Sequence, residues 1–99
     1  MKTMEEEMSL LTDEQIDDAL IELNGWKHQN GAISKTITFD SYMESIGYIN
    51  RLAEKAEELN HHPDMVVGWC KVNLVFTSHD EGGVTTRCIE MAQKADSIL

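Results

Sequence analysis

Residues 26–39 read WKHQNGAISKTITF, two short runs separated by Asn30-Gly31. Asn-Gly is the dipeptide best suited to the paired positive φ angles of a type I′ turn, whose twist matches the strands it joins. The stretch therefore predicts a tight β-hairpin with strands over 26–29 and 33–39. Ile33, Ile37 and Phe39 share one parity of the second strand, so one side of the ribbon is apolar. A two-stranded ribbon is at best marginal alone and needs further elements to cover that side.

The flanking sequence supplies them. Upstream, Thr12 and Gln15 have capping-box spacing, Ile16, Ala19, Leu20 and Leu23 recur on one helical face, and Asn24-Gly25 ends the run. Downstream, Asp40-Ser41 offers an N-cap and Glu44 completes a Ser-x-x-Glu box. Tyr42, Ile46, Ile49, Ala53 and Ala56 mark the expected inward stripe of this second helix. It should stop near Asn60, because Pro63 biases His62 away from helical angles. Residues 65–67 and 72–77 are rich in β-branched and aromatic side chains, with Gly68 near the turn, and Val72, Leu74 and Phe76 fall on one parity. After Gly82-Gly83, Thr85 or Thr86 can cap a last helix with Ile89, Ala92 and Ala95 or Ile98 inward. The order α-β-β-α-β-β-α predicts an α+β fold: a four-stranded antiparallel sheet with three helices packed on one face. The other face or an edge is left for a second subunit.

The chain has 99 residues, 41% of them apolar, enough for one core. Residues 10–99 read as a single domain and 1–9 as a flexible acidic leader, with no partner evident for Met4 and Met8. The net charge of −10 disfavours direct binding to nucleic acid or anionic membranes. No run is long and apolar enough to span a bilayer and no secretory or lipidation signal is present, so a cytoplasmic location is expected. Cys70 and Cys88 do not form a metal-type doublet and read as free thiols of a reducing compartment.

Chemistry concentrates in His61-His62-Pro63, directly after the second helix, and in His79, within the loop Ser78-His79-Asp80-Glu81-Gly82-Gly83 at a strand end. Adjacent imidazoles on an extended segment point different ways, and histidine can be neutral or protonated near neutral pH. General acid–base chemistry is thus within reach. Glu57, one turn before His61, could hydrogen-bond an imidazole. The plainer alternative is that His61 and His62 complement a helix C-terminus and His79 is a solvated loop residue. A metal site using these histidines with Asp64, Asp80 or Glu57 lacks any recognised ligand spacing. Phosphate-binding loops, dinucleotide fingerprints and nucleophile elbows are missing too. Cys88 reads as packing rather than nucleophile. Trp69 could stack on a planar ligand, although a lone Trp near a strand is usually core or interface.

Taken together, Glu57-x-x-x-His61-His62-Pro63, Trp69, His79 and Gly82-Gly83 resemble the signature of the pterin-4a-carbinolamine dehydratases. The likeness runs from about Leu11 to the end of the chain and includes Gly25-Trp26, Phe39, Ala56-Glu57 and Thr85. It implies the fold argued above, assembly as a homodimer or homotetramer, and dehydration of 4a-hydroxytetrahydropterin to quinonoid dihydropterin and water, in tetrahydrobiopterin or other pterin recycling. No cofactor and no metal are implied. By the same resemblance His61 and His79 match the general acid and base, His62 holds the pterin, and Glu57 is a supporting carboxylate. Ser78 lies where backbone meets the ring edge, Arg87 stands at the mouth of the site, and Asn60 and Pro63 complete the segment. The family usually carries an acidic residue at the position of Cys88, and Asn60 replaces an acidic residue of some members. A second function class also follows from the resemblance: a noncatalytic oligomerising module of the transcription-coactivator type.

Overall fold

The computed structural model describes residues 9–99, so the leader expected at 1–9 lies, but for Ser9, outside the described residues. The elements are α1 (Asp13–Ile21), β1 (Lys27–Gln29), β2 (Ala32–Thr38), α2 (Tyr42–Leu59), β3 (Asp64–Val67), β4 (Lys71–Phe76) and α3 (Thr86–Ser97). This is the expected order. The strands form one antiparallel sheet, β1-β2-β4-β3. Asn30 and Gly31 both have positive φ, 53° and 73°, as the tight turn requires.

Register decides which face is the core. Ile33 pairs with Phe76, Lys35 with Leu74 and Ile37 with Val72, and directly paired residues share a face. Ile33, Ile37, Val72, Leu74 and Phe76 are buried together with Ile16, Tyr48, Leu52, Ala56, Ile89, Ala92 and Ala95 from the helices. Burying a side chain of this size contributes roughly 1.5–3 kcal/mol. The sandwich of helices on one sheet face therefore follows from strand parity meeting helical stripes.

The caps are partly those read from the sequence. Thr12 and Gln15 exchange both bonds of the capping box, at 2.9 and 3.1 Å. Ser41 Oγ accepts from the Glu44 N–H at 3.1 Å, but the Glu44 carboxylate accepts from the Asp40 N–H, one residue before the cap. Thr85 caps α3 by position only and makes no side-chain cap bond.

The expected stripe of α2 is corrected. Its buried residues are Ser45, Tyr48, Leu52 and Ala56; Tyr42 and Ala53 are exposed and Ile46 and Ile49 only partly covered. α2 carries apolar residues on two neighbouring stripes, and the one with Tyr48 and Leu52 faces inward, where the Tyr48 hydroxyl finds an acceptor on α3. Tyr48 Oη donates to the Ala95 carbonyl at 2.8 Å and Ser45 Oγ to the Tyr42 carbonyl at 2.6 Å. At the other end of the sheet β3 is an edge strand exposed along its length, and Trp69 beyond it is 81% exposed, neither core nor part of the site below.

Candidate active site

Two backbone devices bring the histidines together. The first is the end of α2, where Asn60 adopts the left-handed conformation (φ 49°, ψ 44°) and the His61 N–H reaches back to the Ala56 carbonyl at 3.0 Å. Asparagine tolerates this conformation better than most residues. The turn separates neighbours: His61 is buried, 8% exposed, while His62 stays at the surface. The second is the loop after β4. The Ser78 carbonyl accepts from the N–H groups of Glu81, Gly82 and Gly83, and its own N–H donates to the Gly83 carbonyl. Gly82 supplies the positive φ of 78° that closes the turn. His79 and Asp80 are left at its exposed tip.

Between these devices lies an open cleft of about 440 Å³, lined by Leu59, Asn60, His61, His62, Thr77, Ser78, His79, Asp80 and Arg87. That volume is in the range of small-molecule sites. The residues singled out from the sequence thus divide: His61, His62, His79, Asn60, Ser78 and Arg87 share the cleft, whereas Glu57 and Pro63 stand outside its lining. The carboxylate expected near His61 engages His62 instead, with Glu57 Oε1 2.9 Å from His62 Nε2. The left-handed turn at Asn60 breaks the i, i+4 geometry on which that expectation rested.

Each imidazole has its own surroundings. The His61 ring lies nearly parallel to Phe76 (18°, centroids 6.3 Å apart), and its Nε2 is 3.2 Å from Cys88 Sγ. Burial, and then the charges of Arg87, His62 and His79, hold its pKa below the usual 6.5. His61 is therefore a neutral imidazole at the floor of the cleft. His79, at the rim, has Nε2 3.6 Å from Asp64 Oδ2. Arg87 Nη1 donates to the Leu59 carbonyl at 3.0 Å and ties the start of α3 to the end of α2. Ser78 is buried, its Oγ 2.7 Å from Thr85 Oγ1 and 3.6 Å from Cys88 Sγ.

The contacts of Asp64 with His79, Thr85 with Ser78 and Cys88 with His61 were not legible in the sequence. Asp64 reaches His79 because the register sets Asp64 against Val75, bringing the start of β3 beside the end of β4. Strand pairing of that kind has no local signal. Among the described residues no group of three or more His, Cys, Asp or Glu could hold a metal ion. What the cleft offers chemically is a buried imidazole below, two imidazoles with carboxylates beside them at the rim and a guanidinium at one wall: donors and acceptors of protons around one open cleft.

Comparison with known proteins places the chain in a family. A family described as "Pterin 4 alpha carbinolamine dehydratase" matches residues 9–98. A Mycolicibacterium vanbaalenii protein named "Putative pterin-4-alpha-carbinolamine dehydratase" is 41% identical, covering 93% of this chain and 99% of its own. A Mycobacterium tuberculosis protein of the same name is 43% identical, covering 93% and 98%. Among solved structures, a transcriptional coactivator/pterin dehydratase from Brucella melitensis superposes with a TM-score of 0.86 at 32% identity, over 89% of this chain and 96% of that one. A pterin dehydratase-like protein identified as a RuBisCO assembly factor in the alpha-carboxysome superposes at 0.65 with 23% identity, over 76% and 89%, and shares the fold.

Proposed function

This chain belongs to the pterin-4-alpha-carbinolamine dehydratase family, and on that premise we propose that it is a hydro-lyase converting 4a-hydroxytetrahydropterin to quinonoid dihydropterin and water in pterin recycling. The observation that carries the reading is the convergence of His61, His62 and His79, from two separate segments, on one cleft. Dehydration needs a proton delivered to the departing 4a-hydroxyl and another removed from a ring nitrogen, so an acid and a base must flank one planar substrate. In the proposal His61 and His79 divide those tasks, His62 holds the pterin with Glu57 behind it, and Asn60, Ser78 and Arg87 bound the ring edge and mouth. Pro63 fixes the direction in which the segment leaves. No cofactor is assigned to the reaction.

The test is direct. Purified protein mixed with freshly generated 4a-hydroxytetrahydropterin should accelerate dehydration, followed by absorbance; a rate no faster than buffer rejects the proposal.

The proposal places the enzyme in the cytoplasm, without direct nucleic-acid or membrane partners, as a homodimer or homotetramer. No helix among the described residues is long and apolar enough to cross a membrane. An oligomer is supported by the edge strand β3, where Met65, Val66 and Val67 are exposed and one row of backbone groups is unpaired. The same exposed apolar edge favours a second reading, a noncatalytic binding module, because the Brucella melitensis relative is described as a transcriptional coactivator as well as a dehydratase. Calorimetry separates the two: pterin binding supports the enzyme, and recovery of a stable protein partner with no detectable pterin binding supports the module.

A further inference from the structure

Beneath His61 and Ser78, and outside the cleft lining, lie two side chains that the proposed reaction does not use, Cys88 and Thr85: Cys88 Sγ is 3.2 Å from His61 Nε2, 3.6 Å from Ser78 Oγ and 3.8 Å from Thr85 Oγ1, and the two hydroxyls are 2.7 Å apart. Cys88, Ser78 and Thr85 are all buried, and α3, the loop between β4 and α3 and the segment after α2 each contribute to the cluster. We infer that Cys88 is a positioning residue that fixes the tautomer of His61, its thiol donating to Nε2 so that the ring hydrogen sits on Nδ1 and faces the cleft.

Donors and acceptors in the cluster can be counted. Ser78 and Thr85 share one hydroxyl hydrogen between them, and the other has Cys88 Sγ as its next acceptor. The thiol then has one hydrogen to place, and the imidazole nitrogen is both its nearest neighbour and the strongest acceptor in reach. A thiol sulfur is a weak acceptor, so the reverse arrangement, with Nε2–H pointing at sulfur, wastes the ring's better donor. Among the described residues Nδ1 of His61 makes no hydrogen bond and no buried side-chain polar atom lacks a partner, so Nδ1 is the nitrogen that opens on the cleft.

Nothing facing His61 opposes this. Arg87 stands beside it on α3, His62 follows it with Glu57 at its back, His79 faces it from the loop with Asp64 behind, and Phe76 of β4 is uncharged. These charges favour a neutral ring, and the thiol selects which neutral ring. A carboxylate at position 88 would act in the opposite sense, accepting Nε2–H and favouring the protonated imidazole. The consequence for dehydration rests on the reading above: His61 offers an Nδ1–H donor to the departing oxygen, and His79 at the rim is left to take the ring-nitrogen proton. The tautomer itself does not depend on that reading.

The experiment is a long-range 1H–15N correlation spectrum of the full chain carrying 15N-labelled histidine, without pterin. In wild-type protein His61 should show a pyrrole-type Nδ1 and a pyridine-type Nε2. Cys88→Ser should retain that pattern, since a hydroxyl can donate in the same place. Cys88→Ala should lose it in favour of the Nε2–H form that free histidine prefers. Cys88→Asp should reverse it and raise the pH at which His61 titrates. If Cys88→Ala does not fold, as judged by its amide spectrum, the Asp variant decides. A wild-type His61 carrying its hydrogen on Nε2, or a pattern the same in wild type and Cys88→Asp, overturns the inference. The predicted tautomer in a protein that fails to dehydrate the carbinolamine overturns only the functional reading.

Discussion

The His61 imidazole is stacked on the ring of Phe76, with centroids 6.3 Å apart and planes 18° from parallel, and this placement costs the protonated ring its water. The resulting depression below the usual 6.5 means that, between the two values, the unfolded chain binds a proton that the folded chain does not. The stability tied to neutral His61 is complete above about pH 6.5 and is lost as pH falls through the folded value. Urea midpoints measured from about pH 7 to 5 should fall more steeply for wild type than for His61→Gln; parallel curves would contradict this.

Asn60 holds the left-handed turn that sends His61 inward. An alanine in that conformation costs on the order of 1–2 kcal/mol, whereas glycine adopts it freely. Asn60→Ala should lower stability by about 1 kcal/mol and slow dehydration, and Asn60→Gly should keep most of the stability. Equal denaturation midpoints for the two variants would count against the role of the turn.

Tyr48 donates to the Ala95 carbonyl near the C-terminus of α3, away from the cleft. Burial, reinforced by the Asp96 carboxylate and opposed by Arg51, raises its pKa above the ordinary phenol value, so it stays a donor. Tyr48→Phe should cost about 1 kcal/mol in chemical denaturation and leave the dehydration rate unchanged.

Asp64 and His79 meet at 3.6 Å with both side chains mostly in solvent. Exposed pairs of this kind contribute about 0–1 kcal/mol to stability. Asp64→Asn should therefore leave the melting temperature nearly unchanged while lowering kcat severalfold, because His79 loses the carboxylate beside it. A large stability loss with unaltered turnover would reverse that assignment.

The elements that carry strong local signals were legible from the sequence: Asn30-Gly31, the Thr12–Gln15 box and the strand parity around Leu74 each report on residues a few positions apart. The stripe of α2 was not, because two apolar stripes compete and the choice between them depends on packing against distant residues, such as the Ala95 carbonyl that accepts from Tyr48 Oη. At the site, the histidines stand out by residue type and spacing. The partners Glu57–His62, Asp64–His79 and Cys88–His61 depend on a left-handed turn, a strand register and helix–sheet packing, none of which is written in adjacent residues.

The central claim is that His61 and His79 act together on a single bound carbinolamine. It is tested most directly by the rate of 4a-hydroxytetrahydropterin dehydration by a His61→Ala, His79→Ala double variant that retains the wild-type fold. Paired general acid–base catalysis predicts a loss of at least about 10²-fold. A double variant as fast as the wild-type protein would contradict the account.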